Sequence, residues 1–97
     1  YSGKNQYRHI RYAIIKPVML MYERIRNLRQ DKDFTQTQMA EWLSVGQSTY
    51  SDYELGKLNI PLPTLVRIAQ ILGTSTDYLL NLSDDPTPPS KKDGRGV

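Results

Sequence analysis

Gln47, Ser48, Ser51 and Asp52 fall in the stretch "GQSTYSDYELGK", and at 3.6 residues per turn their spacing gathers them on one broad arc of a helix. Such a set makes hydrogen bonds in both senses, because the amide donates and accepts, the hydroxyls do either and the carboxylate accepts. That is the chemistry of recognition, and little in the chain supports bond making. It has no cysteine and one histidine, His9, which removes disulfides, thiolate catalysis and Cys-ligated zinc. A lone histidine supports no metal site and leaves the serines without a base inside the helical body. No metal, no cofactor and no enzymatic activity are therefore expected. The same polar arc also has a plainer reading as a solvated helix face.

The elements that must position these residues are legible from punctuation. Residues 21 to 82 carry helical periodicity almost without a break. Met21, Ile25 and Leu28 share one face of a first helix, with Arg24, Arg26 and Arg29 on other faces and Asp31 to Asp33 ending it. Thr35 precedes Gln38 by three, the capping-box spacing, so a second helix is expected from about Gln36 to Leu43 with Met39, Ala40 and Leu43 inward. Trp42 beside that face is expected to be partly buried; an exposed Trp42 would point to a partner surface.

Ser44-Val45-Gly46 reads as a short turn, and Gly46 as the N-cap of a third helix whose inward face is Tyr50 and Tyr53, their hydroxyls reaching the rim. Gly56 stops that helix through a left-handed backbone. Pro61 and Pro63 suit the start of a fourth helix, where N–H donors have no partner to lose. Leu65, Ile68, Ala69 and Leu72 then repeat with helical spacing up to Gly73. Ser75 caps a short fifth helix expected to send Tyr78, Leu79 and Leu82 to the core. The fold class is all-α, a compact five-helix domain with no strand in its main body.

Ninety-seven residues allow one domain. No apolar run approaches the roughly 18 residues of a bilayer span, and a soluble cytoplasmic protein without membrane contact is expected. The net charge is +3, unevenly spread. Lys4, Arg8, Arg11 and Lys16 give residues 1–20 a charge of +4 with no acid, whereas 6 bases and 7 acids leave residues 21–80 at −1. The first 20 residues have three readings that the sequence leaves open. They are a flexible basic arm that supplies attraction to phosphate, an extension ahead of a native start at Met19 or Met21, or a strand built on Ile10, Tyr12 and Ile14 that pairs two chains. Residues 83–97, "SDDPTPPSKKDGRGV", lack a core-forming pattern and read as a flexible Pro-rich polar tail.

Helices two and three, joined by a short turn with a polar outer face on the second, have the form of a helix-turn-helix. The major groove is about 12 Å wide and admits one helix, which the first helix of the pair holds in place across the backbone. From Arg24 to Leu80 the chain also resembles the lambda-repressor-like, or Xre-type, helix-turn-helix proteins. The resemblance rests on Thr35-Gln36, Met39-Ala40, Val45, Ser48-Thr49, Glu54, Gly56-Lys57, Asn59, Leu65, Ala69, Leu72-Gly73 and Asp77-Tyr78-Leu79-Leu80.

That resemblance implies a sequence-specific transcriptional regulator, expected to repress by occupying duplex DNA as a homodimer. By position, Gln36 matches a residue that contacts phosphate and steadies the recognition helix. Gln47 matches one that reads a base, where an amide suits adenine. Ser48 and Asp52 match further outward positions, Lys57 and the loop after it a second grip on phosphate, and Arg29 with Glu54 a buried salt bridge. Gly46, Ser51 and Asn59 complete the expected DNA-facing set. The chain departs from its relatives by placing Leu58, Asn59, Ile60 and Leu62 where Arg or Lys is common. Asp52 would face an anion-rich groove, where it accepts from cytosine N4 or excludes other sequences. Two other functions fit the residues: an antitoxin that binds a partner protein through the tail, and a protein-interaction module that kept the fold without DNA.

Overall fold

The computed structural model describes residues 19–89, and five helices lie among them. These are α1, helical over residues 19–31, α2 (Gln36–Leu43), α3 (Gln47–Leu55), α4 (Leu62–Leu72) and α5 (Thr76–Leu79). No strand occurs among the described residues. No helix among them is long and apolar enough to cross a membrane. The expectations for the basic residues before Met19, for His9 and for the Ile10, Tyr12, Ile14 alternation lie outside the described residues, as do residues 90–97.

Local chemistry sets the boundaries. The capping box forms as expected: the Gln38 N–H donates to Thr35 Oγ1 at 3.0 Å and the Thr35 N–H to Gln38 Oε1 at 2.8 Å. Gly46 caps α3 in an extended conformation, and Ser75 Oγ accepts from the Tyr78 N–H at 3.0 Å. Every helix ends in one way. Asp33, Ser44, Gly56, Gly73 and Asn81 each take a positive φ. The N–H that follows each then reaches five residues back, for example Lys57 to the Asp52 carbonyl at 2.9 Å and Leu82 to Asp77 at 2.8 Å. This closure satisfies carbonyls that would otherwise lack partners and turns the chain sharply.

The core collects the periodic apolar positions. Ile25 of α1, Met39 and Ala40 of α2, Tyr50 and Tyr53 of α3, and Leu65, Ile68, Ala69 and Leu72 of α4 are buried. Leu79 is the single buried residue of α5, a helix of four residues that has too few internal hydrogen bonds to stand alone. Burying one leucine contributes about 1.5–3 kcal/mol, so α5 depends on this anchor. Leu43 packs at the edge of the core. Trp42 is exposed, at 39%, against the expected partial burial, although its ring lies edge-on to Phe34 at 4.8 Å.

Two further expectations fail. Leu82 is 74% exposed, because α5 stops at Leu79 and the left-handed Asn81 takes the chain out of helical register before Leu82 is reached. The Tyr50 ring is fully buried, and its hydroxyl turns inward to Glu54 instead of reaching the rim.

Candidate nucleic-acid interface

Helices α2 and α3 pack as a pair around the turn 44–46, with Met39 and Ala40 facing Tyr50 and Tyr53 in the core. Once α3 commits Tyr50, Tyr53 and Glu54 inward, its other face is fixed. Gln47 and Ser48 are exposed, and Ser51 and Asp52 half-buried. Gly46 offers no side-chain bond to the first turn, which leaves the opening N–H groups of α3 to an outside acceptor. Lys57 and Asn59 are exposed just past the other end of the helix. Gln36 stands half-buried at the first position of α2.

What holds this face in place is a buried polar knot. Arg29 donates from Nε to Glu54 Oε2 at 2.6 Å and from Nη2 to Oε1 at 3.2 Å, the two-pronged geometry that guanidinium and carboxylate favour. The Tyr50 hydroxyl donates to the same Oε2 at 2.6 Å, and Gln36 Nε2 to Oε1 at 3.1 Å. The remaining Arg29 nitrogen, Nη1, donates to the Phe34 carbonyl at 2.9 Å. The paired side chains are 11% and 3% exposed. No buried side-chain nitrogen or oxygen among the described residues lacks a partner. Burial pushes the Glu54 carboxyl up, but the hydrogen bonds from Arg29, Tyr50 and Gln36 outweigh it and hold the group below the usual carboxylate range. The bond to Glu54 raises Arg29 further. Burial, with the bond to Glu54, pushes the Tyr50 hydroxyl far above the usual phenol range.

The knot reaches the surface through Gln36. Giving Nε2 to Glu54 fixes which way that amide points, so Gln36 Oε1 turns outward and accepts from Gln47 Nε2 at 3.5 Å. This last contact is long and weak. It leaves the Gln47 carbonyl and one N–H free for a base edge. An open depression of about 610 Å³ lies beside the two glutamines, lined among others by Arg29, Thr35, Gln36, Thr37 and Gln47.

The structure joins Arg29 to Glu54 and leaves Gln47 and Ser48 exposed, with Ser51 and Asp52 half-buried. Three features lie outside the sequence reading. Tyr50 as a donor to Glu54 had a signal, the i,i+4 spacing on one helix. The sequence places Arg24 only off the apolar face of the first helix, yet it donates to the carbonyls of Tyr78 and Ser83. Thr74, buried and donating to the Pro86 carbonyl at 2.7 Å, had no sequence signal.

A family model described as helix-turn-helix matches residues 25–79. Over 66 residues, 68% of this chain and 59% of the other, the sequence is 39% identical to the HTH-type transcriptional regulator YobD of Bacillus subtilis (strain 168). It is 41% identical over 58 residues, 60% of this chain and 54% of the other, to the SPbeta prophage-derived HTH-type transcriptional regulator YonR of the same organism. The cryptic phage CTXphi transcriptional repressor RstR of Vibrio cholerae is 33% identical over 61 residues, 63% of this chain and 55% of that protein. The chain thus spans between half and three-fifths of the length of these relatives. No solved structure matches it.

Proposed function

The chain belongs to the helix-turn-helix family, and from that membership we propose that it binds duplex DNA through α3 and regulates transcription, as a repressor, by occupying its site. The observation that carries the reading is the outer face of α3, held rigid by the Arg29–Glu54 knot and lined by groups that donate and accept. In this reading Gln47 pairs with an adenine edge, Ser48 and Ser51 make adjustable contacts, and Asp52 accepts from cytosine N4 or rejects other bases. Gln36, the open N-terminus of α3 at Gly46, Lys57 and Asn59 meet phosphate. Attraction that the −1 charge of residues 21–80 cannot supply comes from Lys4, Arg8, Arg11 and Lys16.

One such domain touches few base pairs, so two copies on half-sites about 34 Å apart supply useful specificity. Exposed apolar groups support pairing of copies: Leu82 is 74% and Leu80 37% exposed, and Leu80 lines a groove of about 310 Å³ with Met21, Tyr22, Asn59, Ile60, Leu62 and Leu65.

Selection from a random duplex pool at low salt tests the reading, run on the full chain and on a chain beginning at Met21. A two-fold-symmetric motif enriched by both supports the regulator but overturns the role given to the basic segment. Enrichment by the full chain alone assigns the missing attraction to that segment. The −1 charge of residues 21–80 and the presence of Asp52 on the reading face favour one second reading, a protein-binding module. Enrichment by neither chain would select it.

A further inference from the structure

Side chains that DNA recognition does not use converge where the chain leaves α5. Asn81, with a φ of 64°, reverses the backbone, and two residues then catch it. The Arg24 guanidinium of α1 donates to the carbonyls of Tyr78 and Ser83, reaches Asp84 Oδ1 at 3.2 Å, and lies 4.0 Å over the Tyr78 ring. Thr74, 3% exposed, donates to the Pro86 carbonyl at 2.7 Å. Tyr78 stands near the end of α5 and Thr74 just ahead of its Ser75 cap. Residues 83–86 therefore run back along the full length of α5. Two internal bonds shape this strap: the Asp85 N–H to Ser83 Oγ and the Thr87 N–H to Asp85 Oδ1, each at 3.0 Å.

We propose that residues 83–86 form a latch that holds α5 against α1, and that the expected boundary between domain and tail at residue 82 falls inside this structured unit. The physical need is plain. A single helical turn anchored by one buried leucine is marginal alone, and the strap adds holds at both of its ends. The hold is not chiefly an ion pair. The Asp84 side chain is 97% exposed, so its attraction to Arg24 contributes little. The carbonyls of Tyr78 and Ser83 and the shielded Thr74 hydroxyl do the holding. The exposed Leu80 and Leu82 leave α5 at the same end, so the latch sets how that apolar end is presented, whether or not the chain binds DNA.

The test uses the full chain and two readings. A protease that cuts ahead of aspartate reports release of the strap at Asp84 and Asp85, and amide exchange at Tyr78, Leu79 and Leu80 reports α5. Exchange at Ile68 reports the rest of the domain. The strap is expected to be cut at least about tenfold more slowly than a free peptide of the same residues. Thr74→Val and Arg24→Gln each remove one hold, and each should speed cutting and α5 exchange about three- to tenfold, with Ile68 unchanged. Thr74→Ser, which keeps the hydroxyl, should restore both. Asp84→Asn, followed by cutting at Asp85 because it removes the Asp84 site, and about 0.5 M salt should change neither by more than about twofold. Cutting of the unaltered chain at the peptide's rate would overturn the latch. So would variants that free the strap without affecting α5, or that raise exchange at Ile68 as much as at Leu79.

Discussion

Replacing Glu54 with glutamine keeps the shape of the side chain and removes its charge, which isolates the part of the knot that is electrostatic. In the native protein one carboxylate satisfies donors on Arg29, Tyr50 and Gln36, with two contacts at 2.6 Å. The substitute amide has one acceptor oxygen and an NH₂ group that must face a former donor. Arg29, only 11% exposed at its side chain, then keeps its charge without a counter-ion. Breaking a buried pair in this way costs about 3–5 kcal/mol. The bond from Arg29 to the Phe34 carbonyl survives, so the lower end, about 3 kcal/mol, is the expected loss. With a urea dependence of about 1–1.5 kcal/mol per molar for a domain of this size, the unfolding midpoint should fall by about 2–3 M. Arg29→Met should cost a similar amount, and the double variant much less than the two losses added, because the second change removes a group already stranded. A loss for Glu54→Gln below about 1 kcal/mol, or simple additivity, would refute the reasoning, since that is how an exposed pair behaves.

The pH dependence follows from the same carboxylate. Its pKa in the folded chain lies below the 4.5 of a free glutamate, so its stabilisation is complete above that value and is lost as pH falls through the lower folded pKa. Urea midpoints of the native chain and of Glu54→Gln should differ by a constant amount from about pH 6 to 8 and converge only as pH falls through the lowered folded pKa, below the usual glutamate range. Gly56 takes a φ of 74°, and a methyl group there would stand 2.7 Å from the Tyr22 ring. Gly73 takes a φ of 69°, but its nearest neighbour would be the Lys32 ammonium at 3.6 Å. Alanine at Gly73 should therefore cost about 1–2 kcal/mol from backbone strain, and alanine at Gly56 should cost more by at least about 1 kcal/mol, both read by thermal or urea unfolding. Lys57→Ala should weaken binding to every duplex alike and reduce the slope of log affinity against log salt by about 1.

The sequence discloses what is settled locally. Thr35 with Gln38, Gly46, Gly56, Gly73 and Ser75 mark helix ends because caps and left-handed turns are decided within a few residues, and Met39, Leu65, Ile68 and Leu72 declare their faces by period. The outward set on α3 follows once Tyr50 and Tyr53 are placed inward. Ser44 and Asn81 resist such reading, because neither residue type requires the positive φ that the packing imposes on it. The misplacement of Leu82 follows from Asn81, since periodicity carries a pattern past a stop it cannot see. Arg29 and Glu54 stand 25 positions apart, a separation at which residue type says nothing about contact, and their pairing came from the family resemblance alone. Arg24 and Asp84 stand 60 apart. Nothing in the resemblance covers the strap, so only the folded chain reveals it.

The central claim is that α3 reads bases and that Gln47 is one of its readers. Its most direct test takes the duplex recovered by selection, changes one base pair at a time, and measures binding of the native chain and of Gln47→Ala to each. Gln47→Ala should lose about 1–3 kcal/mol on the selected duplex and become indifferent to the base at one position of each half-site, while preferences elsewhere persist. An equal loss across all duplexes with every preference intact, or no loss at all, would contradict it.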